Sequence, residues 1–304
     1  MIKSSIPYLF SFAILFCTQK SFSAACCGGG FSVPSIIAGD DKTQLTSSYS
    51  YSKLDSDVSV NGVWQKRSNS DLTQIFKFDG ASIYKDRYQF GASIPIHQRN
   101  MSGPQGGQAS GLGDISLLSG YEYLPDWDYH PWRPKGIGYL SLTLPTGKSI
   151  HEEDNFSGIN SRGRGFWALG AGTLLTKTFK KMDAFANFEL HKSFAKKVST
   201  SQLQGELVPG LGYSLTLGIG YNWDKIRFGH TISWLQEDPI KTTGSINTPG
   251  EIQRVATGSL SLSYLLEDYL SGSLTYSDQA WYGEPVNTGL NKTILLSLQK
   301  RWPR

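Results

Sequence analysis

From Gln44 onward the chain alternates between apolar and polar positions. Leu45, Tyr49 and Tyr51 fall on one face of an extended segment, and Thr46, Ser48 and Ser50 on the other. A period of two marks a strand whose faces meet unlike surroundings. The pattern returns at Phe76 and Phe78, at Tyr88 to Ile96, at Ile115 to Tyr123, and at Leu140 to Leu144. It continues through Trp167 to Leu175, Ala184 to Leu190, Leu211 to Tyr221, and Ile226 to Trp234. Leu260 to Tyr264, Leu270 to Tyr276, and Ile294 to Trp302 complete a predicted set of twelve strands.

The face opposite the apolar rows is small and uncharged over long stretches. Ser214, Thr216, Gly218 and Gly220 oppose one row, Ser259, Ser261 and Ser263 another, and Ser271, Ser273, Thr275 and Ser277 a third. A soluble sandwich buries its apolar face and charges its outer one. Here the apolar rows carry aromatics near their ends, as the interfacial girdles of a membrane barrel do. The connections agree. Short turns fall at 85–87, 179–182, 222–225 and 267–268, and longer loops at 55–70, 98–111, 146–163, 192–206, 237–251 and 278–290. A Pro-rich turn, Pro125 to Pro134, is long for its class. The expected fold is all-β: an antiparallel up-and-down transmembrane barrel of about twelve strands, with both termini on the short-turn side, the periplasm.

Composition narrows the picture further. The chain has 33 Gly, 15 Tyr, 15 Phe and 8 Trp, yet only 39% hydrophobic residues, which suits a wall that shows lipid every second side chain. Residues 1–25 read as a signal peptide, with Lys3, an apolar run from Ile6 to Cys17, and small residues at Ser23-Ala24-Ala25. Residues 26–43 read as an extended periplasmic segment or plug, and residues 44–304 as the barrel. Of 29 basic residues, Lys3 and Lys20 leave with the signal peptide. The remaining 27 basic and 25 acidic residues give a net charge of +2, too little for a nucleic-acid partner. Cys26 and Cys27 are adjacent, so they cannot staple distant parts of a fold. Ser23-Ala24-Ala25-Cys26 resembles a lipoprotein signal, which makes Cys26 and Cys27 candidates for lipidation or thiol chemistry.

Two motifs stand out, Gly111-Leu112-Gly113-Asp114-Ile115 and Leu142-Thr143-Leu144-Pro145-Thr146-Gly147-Lys148. Together with the Gly-rich stretch from Trp167 to Gly172, they resemble the outer-membrane transporters named for the MetA pathway of phenol degradation. These are similar in style to long-chain fatty-acid channels. The resemblance spans most of the chain after residue 44 and implies a channel for hydrophobic or aromatic compounds.

Strand parity makes Lys77, Asp114, Glu122, Glu189 and Arg227 candidate lumen-facing residues, where charge tunes which solutes pass. They equally suit mutual pairing that fills the barrel, and Asp114 suits a structural role beside Gly111 and Gly113. His191 and Ser193, two apart on one strand face, have the spacing of a hydrolase pair. Phe194, Ala195 and Lys196 depart from the residues that follow such a pair in outer-membrane phospholipases. The five histidines, His97, His130, His151, His191 and His230, are scattered without chelate spacing, so no metal site is expected. No cofactor is expected either, because no Gly-rich phosphate loop leads into a helix. The expected partners are outer-membrane lipid, a small-molecule solute and the barrel-assembly machinery. The leading reading is a channel for small solutes and not an enzyme. The alternatives are a barrel that displays loops for adhesion or scaffolding, and a hydrolase.

Overall fold

The computed structural model describes residues 35–104, 106–127, 130–153, 158–200 and 203–304. The signal peptide at 1–25 and Cys26 and Cys27 lie outside them. In chain order the strands are β1 (Asp41–Val58), β2 (Trp64–Lys66), β3 (Asp71–Tyr84), β4 (Tyr88–Met101), β5 (Gly107–Leu112) and β6 (Ile115–Leu124). Next come β7 (Lys135–Leu144), β8 (Ala168–Phe179), β9 (Met182–Ser193), β10 (Lys196–Ser199), β11 (Gln204–Val208) and β12 (Leu211–Trp223). The last are β13 (Ile226–Glu237), β14 (Lys241–Gly244), β15 (Gln253–Glu267), β16 (Leu270–Asp278) and β17 (Thr288–Pro303).

Twelve of these form one closed antiparallel ring among the described residues, in the order β1-β3-β4-β6-β7-β8-β9-β12-β13-β15-β16-β17. The ring closes where β17 pairs with β1, from Asp41↔Pro303 to Val58↔Thr288. Closure leaves no unpaired edge along the wall, which a bilayer demands because it offers no water to free N–H and C=O groups. The first strand starts at Asp41, three positions ahead of the alternation visible in the sequence.

The short turns share one end of the barrel. Lys85 and Asp86 both take positive φ (48° and 58°) in the three-residue turn between the paired Tyr84 and Tyr88. Lys180 (φ 54°) and Asp224 (φ 53°) do the same at their turns. The opposite end carries the long loops, and these are not bare. β2 folds back on β1, β5 extends the wall beside β4, and β10, β11 and β14 form a separate three-stranded sheet.

Side chains alternate across the wall as the strand period requires. Leu45, Phe78, Phe90, Leu140, Leu217 and Leu296 are exposed on the outside. Near the short-turn end the outer face carries Tyr84, Tyr88, Tyr121, Tyr123, Tyr221, Trp223 and Trp302, all exposed. The Tyr88 and Tyr121 rings pack at 5.0 Å, and the Arg87 guanidinium lies 4.7 Å from the Tyr121 ring centre. Such rings settle at the membrane–water interface, where their apolar bodies and polar tips are both satisfied.

Candidate functional site

Inside the wall, three features occupy the lumen. The first is the chain ahead of β1. Ile36 and Ala38 pack against Leu118, Ile137, Tyr139, Leu174 and Phe185 from the inward faces of β6 to β9. Ile37 points the other way, against Ala81 and Ile83 of β3, and is 0% exposed. The segment therefore bridges the bore. Polar contacts fix its register. Ile37 N–H donates to Gln89 Oε1 at 2.9 Å, and Gln89 Nε2 donates to the Ile37 carbonyl at 3.2 Å. Gln44 Nε2 donates to the Ile36 carbonyl at 3.0 Å, and Lys135 Nζ to that of Gly39 at 3.1 Å. A Cβ on Gly91 would come within 2.2 Å of the Ser35 carbonyl oxygen, so this strand position must lack a side chain. Burying the two isoleucines contributes about 1.5–3 kcal/mol each.

The second feature joins the two sequence motifs. Thr146 Oγ1 donates to the Gly113 carbonyl at 2.5 Å and accepts the Ile115 N–H at 3.1 Å. The Asp114 carboxylate accepts three backbone N–H groups: Gly147 at 2.9 Å, Arg164 at 2.7 Å and Gly165 at 3.2 Å. Asp114 thus ties both ends of the β7–β8 connection to the junction of β5 and β6. An ionised carboxylate makes such bonds stronger than a neutral acceptor would. The connection is braced further out. Lys196 Nζ donates to Glu152 Oε1 at 2.6 Å and to the Gly165 carbonyl at 2.9 Å, and Asn160 Nδ2 donates to Glu153 Oε2 at 2.9 Å. Burial disfavours the Glu152 charge. The Lys196 hydrogen bond, the Ser149 amide and the Lys196 and Lys148 charges outweigh it and hold the carboxyl below its usual range. Burial pushes His151 below the usual imidazole value, and Glu152 offsets this only in part.

The third feature is a cleft of about 340 Å³ between this connection and the wall. Pro95, His97, Arg162, Phe166, Glu189 and His191 are among the residues that line it. Arg164 Nη1 meets Glu237 Oε1 at 2.5 Å, and His191 Nε2 lies 2.9 Å from the same oxygen.

The residues singled out by parity have different surroundings. Lys77 faces Asp79, its Nζ 3.3 Å from Oδ2. Glu122, 2% exposed, sits 3.2 Å from Lys135 Nζ and 3.7 Å from Arg304 Nη2. Arg227 grips both oxygens of Asp183 at 2.9 and 2.7 Å, and Asn222 donates to the same carboxylate. Glu189 lies 3.9 Å from His191 Nδ1 and borders the cleft. Asp114 serves backbone amides rather than a partner charge. Ser193 is buried beside His191, but the imidazole Nε2 is engaged by Glu237 and Arg164. Across the bore the lining is hydroxyl. Ser259 bonds Ser277 at 2.9 Å, Ser273 bonds Ser297 at 2.6 Å, and Gln299 Nε2 donates to Thr46 Oγ1 at 3.2 Å.

These features define the class: a membrane-spanning β-barrel with an inner segment and an inward-folded connection. Its wall is that of outer-membrane barrels. The COG4313 outer membrane channel from Pseudomonas putida F1 matches it with a TM-score of 0.71 at 12% identity, over 90% of this chain and 100% of that one. The deltaS2S3 mutant of the TodX monoaromatic hydrocarbon channel gives 0.47 at 12% identity, over 90% and 93%. The translocator domain of autotransporter NalP from Neisseria meningitidis gives 0.46 at 13% identity, over 92% of each chain. No family profile matches the sequence, and no curated protein matches it.

Proposed function

We propose that this chain is an outer-membrane channel for small hydrophobic solutes, gated at its periplasmic end by Ser35–Gly39. The carrying observation is the apolar cluster that Ile36 and Ala38 form with five inward residues of β6 to β9. A constriction with apolar walls sheds water and opposes ions, while a hydrocarbon crosses it without losing hydration. The meeting of the GLGD and LPTGK motifs at Asp114 supports kinship with the phenol-pathway transporters. The short-turn end is the periplasmic one in this reading. Aromatic solutes are one group within the class.

Deleting residues 26–39 should raise single-channel conductance in planar bilayers several-fold, and liposomes carrying the intact chain should take up small hydrocarbons. Failure of both forms to conduct or to pass hydrocarbons would sink the channel reading. It would then favour the display role, for which the separate β10-β11-β14 sheet in the long loops is the supporting feature.

A further inference from the structure

Resting on the channel reading, and deepening it, we propose that the cleft between the β7–β8 connection and the wall binds a neutral oxygenated hydrocarbon. An alcohol or ketone would have its oxygen held by Arg162 and His97.

The charges around the cleft are already matched. Asp114 spends both oxygens on backbone amides, and Arg164 and His191 meet at Glu237. Arg162 and Glu189 remain, one of each sign, on the lining. A net anion would sit beside Asp114 and Glu189, and a net cation beside Arg162 and Arg164. A neutral head meets neither opposition.

Besides the Ser141, Thr143 and Ser193 hydroxyls, two nitrogen-bearing groups on the lining can meet such a head. Arg162 uses Nη1 on the Ser110 carbonyl at 2.9 Å, but its buried Nε–H has no acceptor among the described residues. His97 lines the same cleft, and no hydrogen bond to its ring occurs among the described residues. A buried donor without an acceptor is costly, so a ligand oxygen there gains more than one that displaces water at a surface. The GLGD glycines make the room. A Cβ on Gly111 would lie 2.8 Å from Arg162 Cζ, and one on Gly113 2.6 Å from His97 Nε2. Side chains there would push both groups out of place. Pro95, Phe166 and Ala168 supply the apolar lining, and about 340 Å³ suits a small ring or short chain.

The test uses the full chain in lipid nanodiscs and saturation-transfer NMR, with empty nanodiscs subtracted. The probes are cyclohexanol, cyclohexanecarboxylate, cyclohexylammonium and methylcyclohexane, close in size and unlike in head group. Cyclohexanol should bind most tightly. Arg162→Met and His97→Phe should each weaken it about three- to tenfold, the value of one hydrogen bond. Equal or tighter binding of either ion overturns the neutral-head assignment, and equal binding of methylcyclohexane overturns oxygen recognition. Unchanged affinity in both variants overturns the residues named. If Arg162→Met does not fold, His97→Phe decides alone. Liposome uptake, measured separately, keeps the two readings apart. Binding without uptake leaves the site standing and removes the channel, and uptake without cleft binding does the reverse.

Discussion

Along β16 the inward positions are Ser271, Ser273, Thr275 and Ser277, and β15 faces them with Ser259, Ser261 and Ser263. Along β9 the inward positions are Asp183, Phe185, Asn187, Glu189 and His191. The same backbone ladder carries both, yet the two walls hold together differently. A serine hydroxyl is small and neutral, so losing its partner costs less than stranding a buried charge, and each hydroxyl–hydroxyl bond adds only about 0.5–1.5 kcal/mol. An ionised side chain in the wall must find its partner or destabilise the fold. The hydroxyl wall is therefore tolerant and featureless. The charged and apolar wall is specific: the inner segment packs on Phe185, and Arg164 of the β7–β8 connection meets His191.

The sharpest test sets one wall against the other. Arg227→Met leaves the buried Asp183 carboxylate without its cation and should cost about 3–5 kcal/mol in urea unfolding. Ser273→Ala on the hydroxyl wall should cost only about 0.5–1.5 kcal/mol. Equal losses would erase the distinction. Next in size is the outer face, which both walls share. Leu217→Arg should destabilise the barrel by roughly 2–4 kcal/mol if Leu217 lies near the bilayer midplane. An unaltered unfolding midpoint would mean that the inward and outward parities are reversed.

Smaller in free energy is Glu189→Lys, which should cost less than Arg227→Met because Glu189 borders the cleft and its imidazole neighbour is 3.9 Å away, and should move the reversal potential in a salt gradient toward anions. Glu189 is the better choice than Glu122, whose charge is spent on Lys135 and Arg304. No movement would show that permeant ions avoid the charged wall. Least of all is the Glu152–Lys196 contact, its side chains 31% and 32% exposed, worth under about 1 kcal/mol. Its carboxyl titrates lower in the folded chain than in the unfolded one. The contact therefore contributes above the ordinary Glu value of about 4.3 and is lost as pH falls through the folded value. Hydrogen exchange in 145–153 and 158–167 should be flat from pH 7 to about 5, after correction for intrinsic rates, and should quicken only once the pH is below the ordinary Glu value of about 4.3. Quickening already near pH 6 would assign the change to a histidine instead.

Twelve strands and their faces were legible because a period of two survives in any single strand, whatever its neighbours. Partners were not legible. Asp183 and Arg227 stand 44 positions apart, and nothing local announces that they meet. The small strands inside the long loops were missed for a related reason. Lys196-Lys197-Val198-Ser199 has no apolar alternation, and its sheet depends on Gly205 pairing with Gly244 far along the chain. Both motifs were visible as words. Their joint meaning, a carboxylate that gathers amides from both ends of one connection, appears only once the loop is folded.

The seam between β1 and β17 carries a consequence for how the molecule comes into being. Gln299 reaches Thr46 across 253 positions, and the whole ladder from Asp41 to Val58 waits for the final strand. Until that strand arrives, the growing sheet has two raw margins, each a template for pairing with a stranger. Assembly from one end cannot be finished piecemeal. Commitment comes late and all at once, and truncating the last dozen residues would forfeit closure itself rather than a proportionate share of stability.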